Sequence, residues 1–321
     1  MAKTRRAPVL TAALALGVVA VWSATGGGCQ DPGRPAADGD GGARGGTRTF
    51  TDEIGRPVRP LCTPARRVIS LAPNLTELLF ALGAGDQVVG VDNYSDQPAR
   101  PLTHIPKVGS DYEPSIEKMV ALSPDVVFTS LSANRRETAE ALERLGVPVF
   151  VTDTRSIVDV DRTLRSLGEL TGHAAQAGAE IRRLHEGLQR VARRVAGRPR
   201  PRVLVVVWSD PLFVAGKRTF VNDLIEVAGG TNVASDVSGF SKYPLERVLR
   251  LLPDVIVLPT HSAPEQGPRA VRYWENWPEL PAVRDRRVEA VEASVIIRPG
   301  PRLVEGAQLL ARLLQPGIGT P

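Results

Sequence analysis

Residue patterns able to make or break bonds are scarce in this chain. Gly216-Lys217-Arg218-Thr219 resembles a phosphate loop at first glance, but no Ser or Thr follows the Lys and the upstream Gly is missing. Gly83-Ala-Gly85 follows its expected helix instead of joining a strand to one, so it reads as a helix terminator and not as a dinucleotide fingerprint. There is no Gly-x-Ser-x-Gly, no His-Glu-x-x-His and no cysteine cluster. The histidines His104, His173, His185 and His261 are far apart. Only His261, just after an expected strand at 255–258, stands where a cleft could hold a metal, and an exposed loop histidine is the competing reading. The expectation is a protein that is not an enzyme and carries no resident cofactor.

Aromatic residues say more. Tyr94, Tyr112, Trp208, Phe213, Phe240 and Tyr243 fall in expected loops, several of them directly after strands. Open parallel sheets bind ligands outside the carboxyl ends of their strands. Two such lobes face to face would form an aromatic-lined cleft able to grip a large, flat, partly apolar ligand. Each ring taken alone could equally pack its own loop. Trp274 and Trp277 read as the cover of a structural turn. Glu117 and Glu246 each open a helix, where a carboxylate complements the helix dipole. Standing at matched positions, one per half, they could instead dock on paired arginine pockets of a two-fold partner.

The elements that must position these residues alternate. Strands are expected at 67–71, 88–91, 125–128 and 147–151, with helices at 75–82, 116–122 and 135–145 between them, which is parallel α/β organisation. Asn74 with Glu77 three residues on suggests a capping box at the start of the first helix. From 157 to 194 the strand signal vanishes. Val160, Leu164 and Leu167 form one helical stripe, and Ala177, Ile181, Leu184, Leu188, Val191 and Val195 form a second, longer one that Gly197 and Pro199 end. His185 falls on its polar side. A strand at 202–207, a loop at 208–217 and a helix at 220–227 restart the pattern. In both halves a Glu stands seven residues before Pro-Asp, Glu117 before Pro124-Asp125 and Glu246 before Pro253-Asp254, which points to a duplicated lobe.

Length and composition agree with this division. The 321 residues suffice for two lobes, and 42% hydrophobic with 23% charged residues excludes a wholly disordered chain. The net charge of +5 is spread along the sequence with acidic residues interleaved, which argues against a nucleic-acid partner. A basic start, a short apolar stretch and a small-residue exit make residues 1–28 a lipoprotein-type export signal, with Cys29 as the lipidated residue. With Cys29 so modified, Cys62 would have no partner for an intramolecular disulfide. Residues 29–48, rich in Gly and poor in apolar bulk, read as a flexible tether. An N-terminal lobe over 49–156, linking helices over 157–197 and a C-terminal lobe over 198–321 follow.

Several motifs then converge on one family. Arg67-Val-Ile-Ser-Leu-Ala-Pro-Asn-Leu-Thr-Glu, Val-Asp-Asn-Tyr94-Ser-Asp96-Gln-Pro98, Glu117 through Pro124-Asp125, and Arg298-Pro-Gly-Pro-Arg302 resemble the periplasmic binding proteins for vitamin B12, ferric siderophores and haem. The resemblance runs over about residues 48–316. It implies a class III architecture: two Rossmann-like lobes with parallel sheets, bridged by a rigid helix, with a ligand cleft between them. It also implies a monomeric, exported protein, lipid-anchored in the periplasm or on the outer face of the cytoplasmic membrane, that serves an ABC permease dimer and its ATPase. Glu117 and Glu246 match the family's docking glutamates. Tyr94 and Phe213 fall on positions near the corrinoid of the cobalamin-binding members, with Tyr112 in place of a Trp. Departures are the absence of a Trp near Ser130-Leu131 and Ser294 in place of an Asp. Cobalamin is the expected cargo, with haem or a ferric siderophore as alternatives and Arg298 as an anion partner for the latter. Two other classes compete, a metal-centre assembly enzyme on a related two-lobed fold and a sensor that signals without transport.

Overall fold

The structure, a computed structural model, describes residues 46–260 and 266–317. It opens on an antiparallel hairpin, β1 (Gly46–Thr51) with β2 (Pro57–Thr63), so residues 46–48, expected in the tether, belong to a strand. Alternation explains the hairpin: Val58, Leu61 and Thr63 turn inward, and Phe50 packs on the same core. Cys62, on β2, is disulfide-bonded, which corrects the expectation that it lacks a partner. Cys29 and the signal segment lie outside the described residues.

The N-terminal lobe follows the expected alternation: β3 (Val68–Ser70), α1 (Pro73–Ala81), β4 (Val88–Val91), α2 (Ala99–Leu102), α3 (Ile116–Ala121), β5 (Val126–Ser130), α4 (Arg136–Arg144) and β6 (Val149–Thr152). Its sheet is wholly parallel in the order β4-β3-β5-β6. All three residues of β3 and all five of β5 are buried, as strands covered by helices on both faces must be. The start of α1 differs from expectation. Ala72 is its N-cap and Pro73 its first residue, with no side-chain cap, because the helix starts earlier than expected, Ala72 carries no side-chain acceptor, and Glu77 falls beyond N3 and pairs with the other lobe.

Two helices link the lobes. α5 (Ile157–Thr171) opens with a capping box between Ser156 and Asp159, and α6 (Ala174–Val195) runs 22 residues, about 33 Å at 1.5 Å per residue. The buried residues of α6 include every member of the expected stripe. His185, expected to be solvated on α6, keeps a side chain 42% exposed, and its Nε2 also lies 2.6 Å from the Asp161 carboxylate on α5, which pins the two helices together. Residues of α6 belong to a single apolar cluster with both sheets, from Val68 and Phe128 on one side to Val203 and Val257 on the other. Burial of one continuous core along the rod ties the lobes to it.

The C-terminal lobe contains β7 (Arg202–Ser209), β8 (Leu212–Ala215), α7 (Phe220–Val227), β9 (Thr231–Asn232), β10 (Phe240–Lys242), α8 (Leu245–Leu251), β11 (Val255–Thr260), α9 (Gln266–Trp274), α10 (Pro281–Arg284), β12 (Val288–Glu292), α11 (Ala293–Ile296) and α12 (Leu303–Leu314). Its sheet is mixed, which corrects the expectation of two parallel sheets. β9, β7, β11 and β12 pair in parallel, whereas β8 folds back antiparallel on β7 and β10 antiparallel on β8. Trp274 is buried and stacks with Tyr273 and Trp277 on the outer core of this lobe.

The duplication read from sequence extends to individual bonds. Asp125 accepts the backbone N–H of Arg67, and Asp254 that of Arg202. The guanidinium of Arg67 donates to the Leu122 carbonyl at the end of α3, and that of Arg202 to the Leu251 carbonyl at the end of α8. Ser123 and Leu252 both take left-handed φ, 45° and 48°, to turn each helix into its strand. Each Arg satisfies carbonyls that the helix end leaves open.

Candidate functional site

A cavity of about 440 Å³ lies between the lobes. The N-terminal lobe contributes Asn74 at the start of α1, Ser130–Ala133 after β5 and Asp153–Arg155 after β6. The C-terminal lobe contributes Arg218–Phe220 at the start of α7, Phe240 on β10 and Ile297–Pro299 after α11. In the N-terminal lobe the walls are the carboxyl ends of parallel strands, the position open α/β sheets use for ligands.

The expected aromatic residues divide into three groups. Phe240 lines the cavity, is 43% exposed, and meets Phe220 edge to face at 6.1 Å. Tyr94, Tyr112 and Trp208 are outside the lining but strongly exposed, at 57%, 55% and 62%. Phe213 is half-buried on β8. Tyr243 is a correction: it is 2% exposed in the outer core, with its hydroxyl donating to Asp236 at 3.0 Å. Burial first, and then that bond, push its phenol up to about 12. It misses the cleft because β10 pairs with β8 and carries the chain past the rim, leaving Phe240 as the ring that faces ligand space.

The exposed rings are held by polar anchors. Tyr94 follows Asp92, whose fully buried carboxylate accepts the backbone N–H groups of Tyr94 at 2.7 Å and Ser95 at 3.1 Å and the Ser95 hydroxyl. Burial raises the Asp92 carboxyl above its ordinary range, and the Ser95 hydroxyl opposes that rise. Lys107 closes the turn by donating to the carbonyls of Asp92 and Ser95. Tyr112 stacks under the Arg135 guanidinium, 3.7 Å from the ring centroid. Trp208 donates its indole N–H to the Asp210 carbonyl at 2.7 Å.

Asn134 organises the N-terminal wall. Its amide donates to the carbonyls of Leu71 and Asp111, and its oxygen accepts the N–H of Ser130, so one side chain joins the loops after β3 and β5 to the Tyr112 loop. Nothing in its sequence setting marks it. Three arginines line the cavity as well. Arg155 pairs with Asp153 and Arg298 with Asp96 and Glu77, whereas Arg218 has no side-chain hydrogen bond or ion pair among the described residues. Burial works against the charge of Arg298, and the bonds to Asp96 and Glu77 outweigh it and hold the guanidinium above its usual value.

The hairpin β1–β2 supports this wall through Glu53, whose buried Oε2 accepts the Asp153 N–H at 2.9 Å and the Thr163 hydroxyl at 3.0 Å while Oε1 has no partner. Burial raises its carboxyl above the ordinary glutamate range. From that range upward the folded chain therefore retains a proton that the unfolded chain releases, so this stabilisation is complete below the unfolded pKa and is lost as pH rises through the folded one. Urea denaturation over a rising pH series should show wild-type stability declining relative to Glu53→Gln once the pH passes the ordinary glutamate pKa. Parallel curves would refute the assignment.

Glu117 and Glu246 lie away from the cavity, exposed in the first turns of α3 and α8, and neither makes an ion pair among the described residues. His261 falls outside the described residues. Among the described residues no three His, Cys, Asp or Glu side chains gather to hold a metal, and no helix is long and apolar enough to cross a membrane.

Two α/β lobes, a helical rod along their common side and one cleft at the lobe junction define a bilobal binding protein. Residues 68–294 match the family model described as Periplasmic binding protein, and the chain belongs to that family. It is 30% identical over 295 residues to the uncharacterized ABC transporter substrate-binding lipoprotein YvrC of Bacillus subtilis, covering 88% of this chain and 92% of the relative. It is 27% identical over 241 residues to the vitamin B12-binding protein of Vibrio parahaemolyticus, covering 74% and 86%. Among solved structures, a periplasmic heme-binding protein from Pseudomonas aeruginosa superposes with a TM-score of 0.72 at 27% identity, over 79% of this chain and 94% of that one.

Proposed function

We propose that the protein captures a corrinoid, cobalamin, in the interlobe cleft and hands it to the permease of an ABC importer. The observation that carries this reading is the set of exposed aromatic rings, Phe240 in the cavity with Tyr94, Tyr112 and Trp208 beyond it. Exposed aromatic rings gathered beside a cleft suit the apolar faces of a ligand, and a macrocycle wider than the cavity would reach past it to them. Affinity then comes from burying the ligand's apolar faces, with no bond made or broken. The likeness to vitamin B12-binding proteins supports the same cargo.

A second reading rests on a specific observation. Arg218, in the lining, forms no ion pair among the described residues, and an anionic haem or ferric chelate would supply one. Calorimetry with cobalamin, haem and a ferric siderophore decides between them. Cobalamin binding is expected, and Phe240→Ala should weaken it about tenfold, equivalent to 1.4 kcal/mol. Binding of haem or a ferric chelate without cobalamin would replace the corrinoid reading.

The proposed docking surface is the pair Glu117 and Glu246. The proposed location is the outer face of the membrane, anchored through a lipid on Cys29. Cys29 is also the only other cysteine of the chain, so the anchor requires that in the mature protein its sulfur carry the lipid and not the disulfide described for Cys62. The intact mass of mature protein extracted from membranes tells them apart, because a chain beginning at Cys29 with added acyl mass is expected only for the anchor.

A further inference from the structure

Beyond the rod, the lobes are joined by a cluster of charges beside the cleft. Glu77, on α1 of the N-terminal lobe, has a side chain only 4% exposed. Its Oε1 accepts from Nη1 of Arg298 at 3.2 Å and from Nη2 of Arg302 at 2.8 Å, and its Oε2 accepts from Nε of Arg302 at 2.9 Å. Arg298 also reaches Asp96 in the loop after β4, with Nη1 2.5 Å from Oδ1. Both arginines belong to the C-terminal lobe, on either side of Pro299-Gly300-Pro301, a segment with little freedom to give way. Arg302 donates further to the Ser294 hydroxyl at 3.3 Å, and Arg183 of the rod donates to the Pro301 carbonyl at 3.0 Å.

We propose that Glu77, Asp96, Arg298 and Arg302 form an ion-pair latch that fixes the spacing of the two lobes before cargo arrives and so presets the width of the cleft. A single rod leaves the lobes free to rock about its axis, whereas a second attachment off that axis removes this freedom. The placement fits the role, because Arg298 and Pro299 line the cavity while Glu77 and Arg302 sit behind it. Glu77 acts through the two arginines and is a positioning residue. Removing Glu77 takes from the part-buried Arg302 its carboxylate and from Arg298 one of its two, so the latch has little tolerance for partial opening. Its value to binding is preorganisation: cargo meets a cleft already at its working width and does not have to order the lobes itself. This value, though not the latch itself, rests on the reading of the cleft as the cargo site.

The test places spin labels at the exposed positions Glu137 and Glu279, one per lobe, through an unnatural amino acid, and measures the interlobe distance distribution by pulsed EPR. In cargo-free protein a single narrow distribution is expected for wild type and for Arg302→Lys, and a broadened one for Glu77→Gln and for Arg302→Met. Arg302→Met, at the more exposed end of the cluster, serves if Glu77→Gln does not fold. With cobalamin as the probe, the two broadening variants should bind about tenfold more weakly, and saturation should narrow their distributions again. A cargo-free distribution as narrow in Glu77→Gln and Arg302→Met as in wild type overturns the latch, even if both variants melt earlier, because a purely structural role would lower the midpoint alone. Failure of wild type to bind cobalamin overturns the cargo reading and leaves the cargo-free comparison to decide the latch.

Discussion

Replacing Glu117 and Glu246 together by alanine is expected to abolish uptake of cargo in cells or proteoliposomes carrying the permease and its ATPase, with cargo affinity and thermal midpoint unchanged. Both side chains are exposed, neither makes an ion pair among the described residues, and neither lines the cavity. Within the isolated protein each contributes only the helix-dipole interaction of an acidic residue in a first turn, about 0.3–1 kcal/mol at most. Their placement is much more rigid than a surface carboxylate requires. In each lobe the helix carrying the glutamate is tied at its far end by the Arg67–Asp125 or the Arg202–Asp254 arrangement. The repeat therefore fixes the separation of two negative charges, which suits a partner presenting two fixed positive pockets. Truncating one member of a buried interfacial charge pair costs about 2–5 kcal/mol. Losing both should thus remove the complex at working concentrations, while each single variant retains partial uptake. Uptake that survives the double substitution would eliminate the docking role and leave the glutamates as helix caps.

The elements of this molecule were legible where a periodic pattern was long enough to average out local ambiguity. The α6 stripe from Ala177 to Val195 repeats at threes and fours over about five turns, and only a helix buries all of it on one side. The lobe duplication was legible because Pro-Asp and the preceding Glu recur at one spacing, and the bonds of Asp125 and Asp254 show what that spacing preserves. The hairpins were not legible. β8 is four residues between Pro211 and Gly216, too short to separate from a loop, and misreading it put Tyr243 at the cleft when the antiparallel return carries it into the core. In the site, Phe240 was found by residue type, while Asn134, Arg155 and Arg218 carry no local signal. Glu77 was visible only as an apparent helix cap, because its true partners lie 221 and 225 residues away. A contact made by folding two distant segments together leaves no trace in the spacing of either one.

Gly306→Ala should be among the most destabilising single-methyl additions in the chain, lowering the thermal midpoint by roughly 5 to 10 °C. Gly306 lies in the first turns of α12, where a Cβ would stand 2.2 Å from the Val295 carbonyl oxygen of α11 and 3.5 Å from Leu224 on α7. The obstacle is backbone, so it cannot rotate away, and α12 or α11 must move. Overpacking of this kind costs about 1–3 kcal/mol, and each kcal/mol lowers the midpoint of a domain of this size by about 2–4 °C. Gly187 makes the informative contrast. It lies on α6 against Val304 of α12, and an added Cβ would meet only side-chain atoms, the closest at 2.5 Å. Val304 cannot rotate both γ-methyls away, so α12 must give slightly, but replacing Gly by Ala inside a helix returns up to about 1 kcal/mol of propensity, so Gly187→Ala should lower the midpoint less than Gly306→Ala. Gly46, with nothing within 4 Å, should be indifferent. The functional consequence follows from position. Moving α11 displaces Ile297 and Arg298, which line the cavity, so Gly306→Ala should weaken cargo binding at temperatures where the chain remains folded, whereas Gly187→Ala should not. Equal midpoints for the two variants in a thermal scan would mean that α11 and α12 do not pack as closely as this, and that the cleft floor is not braced by their contact.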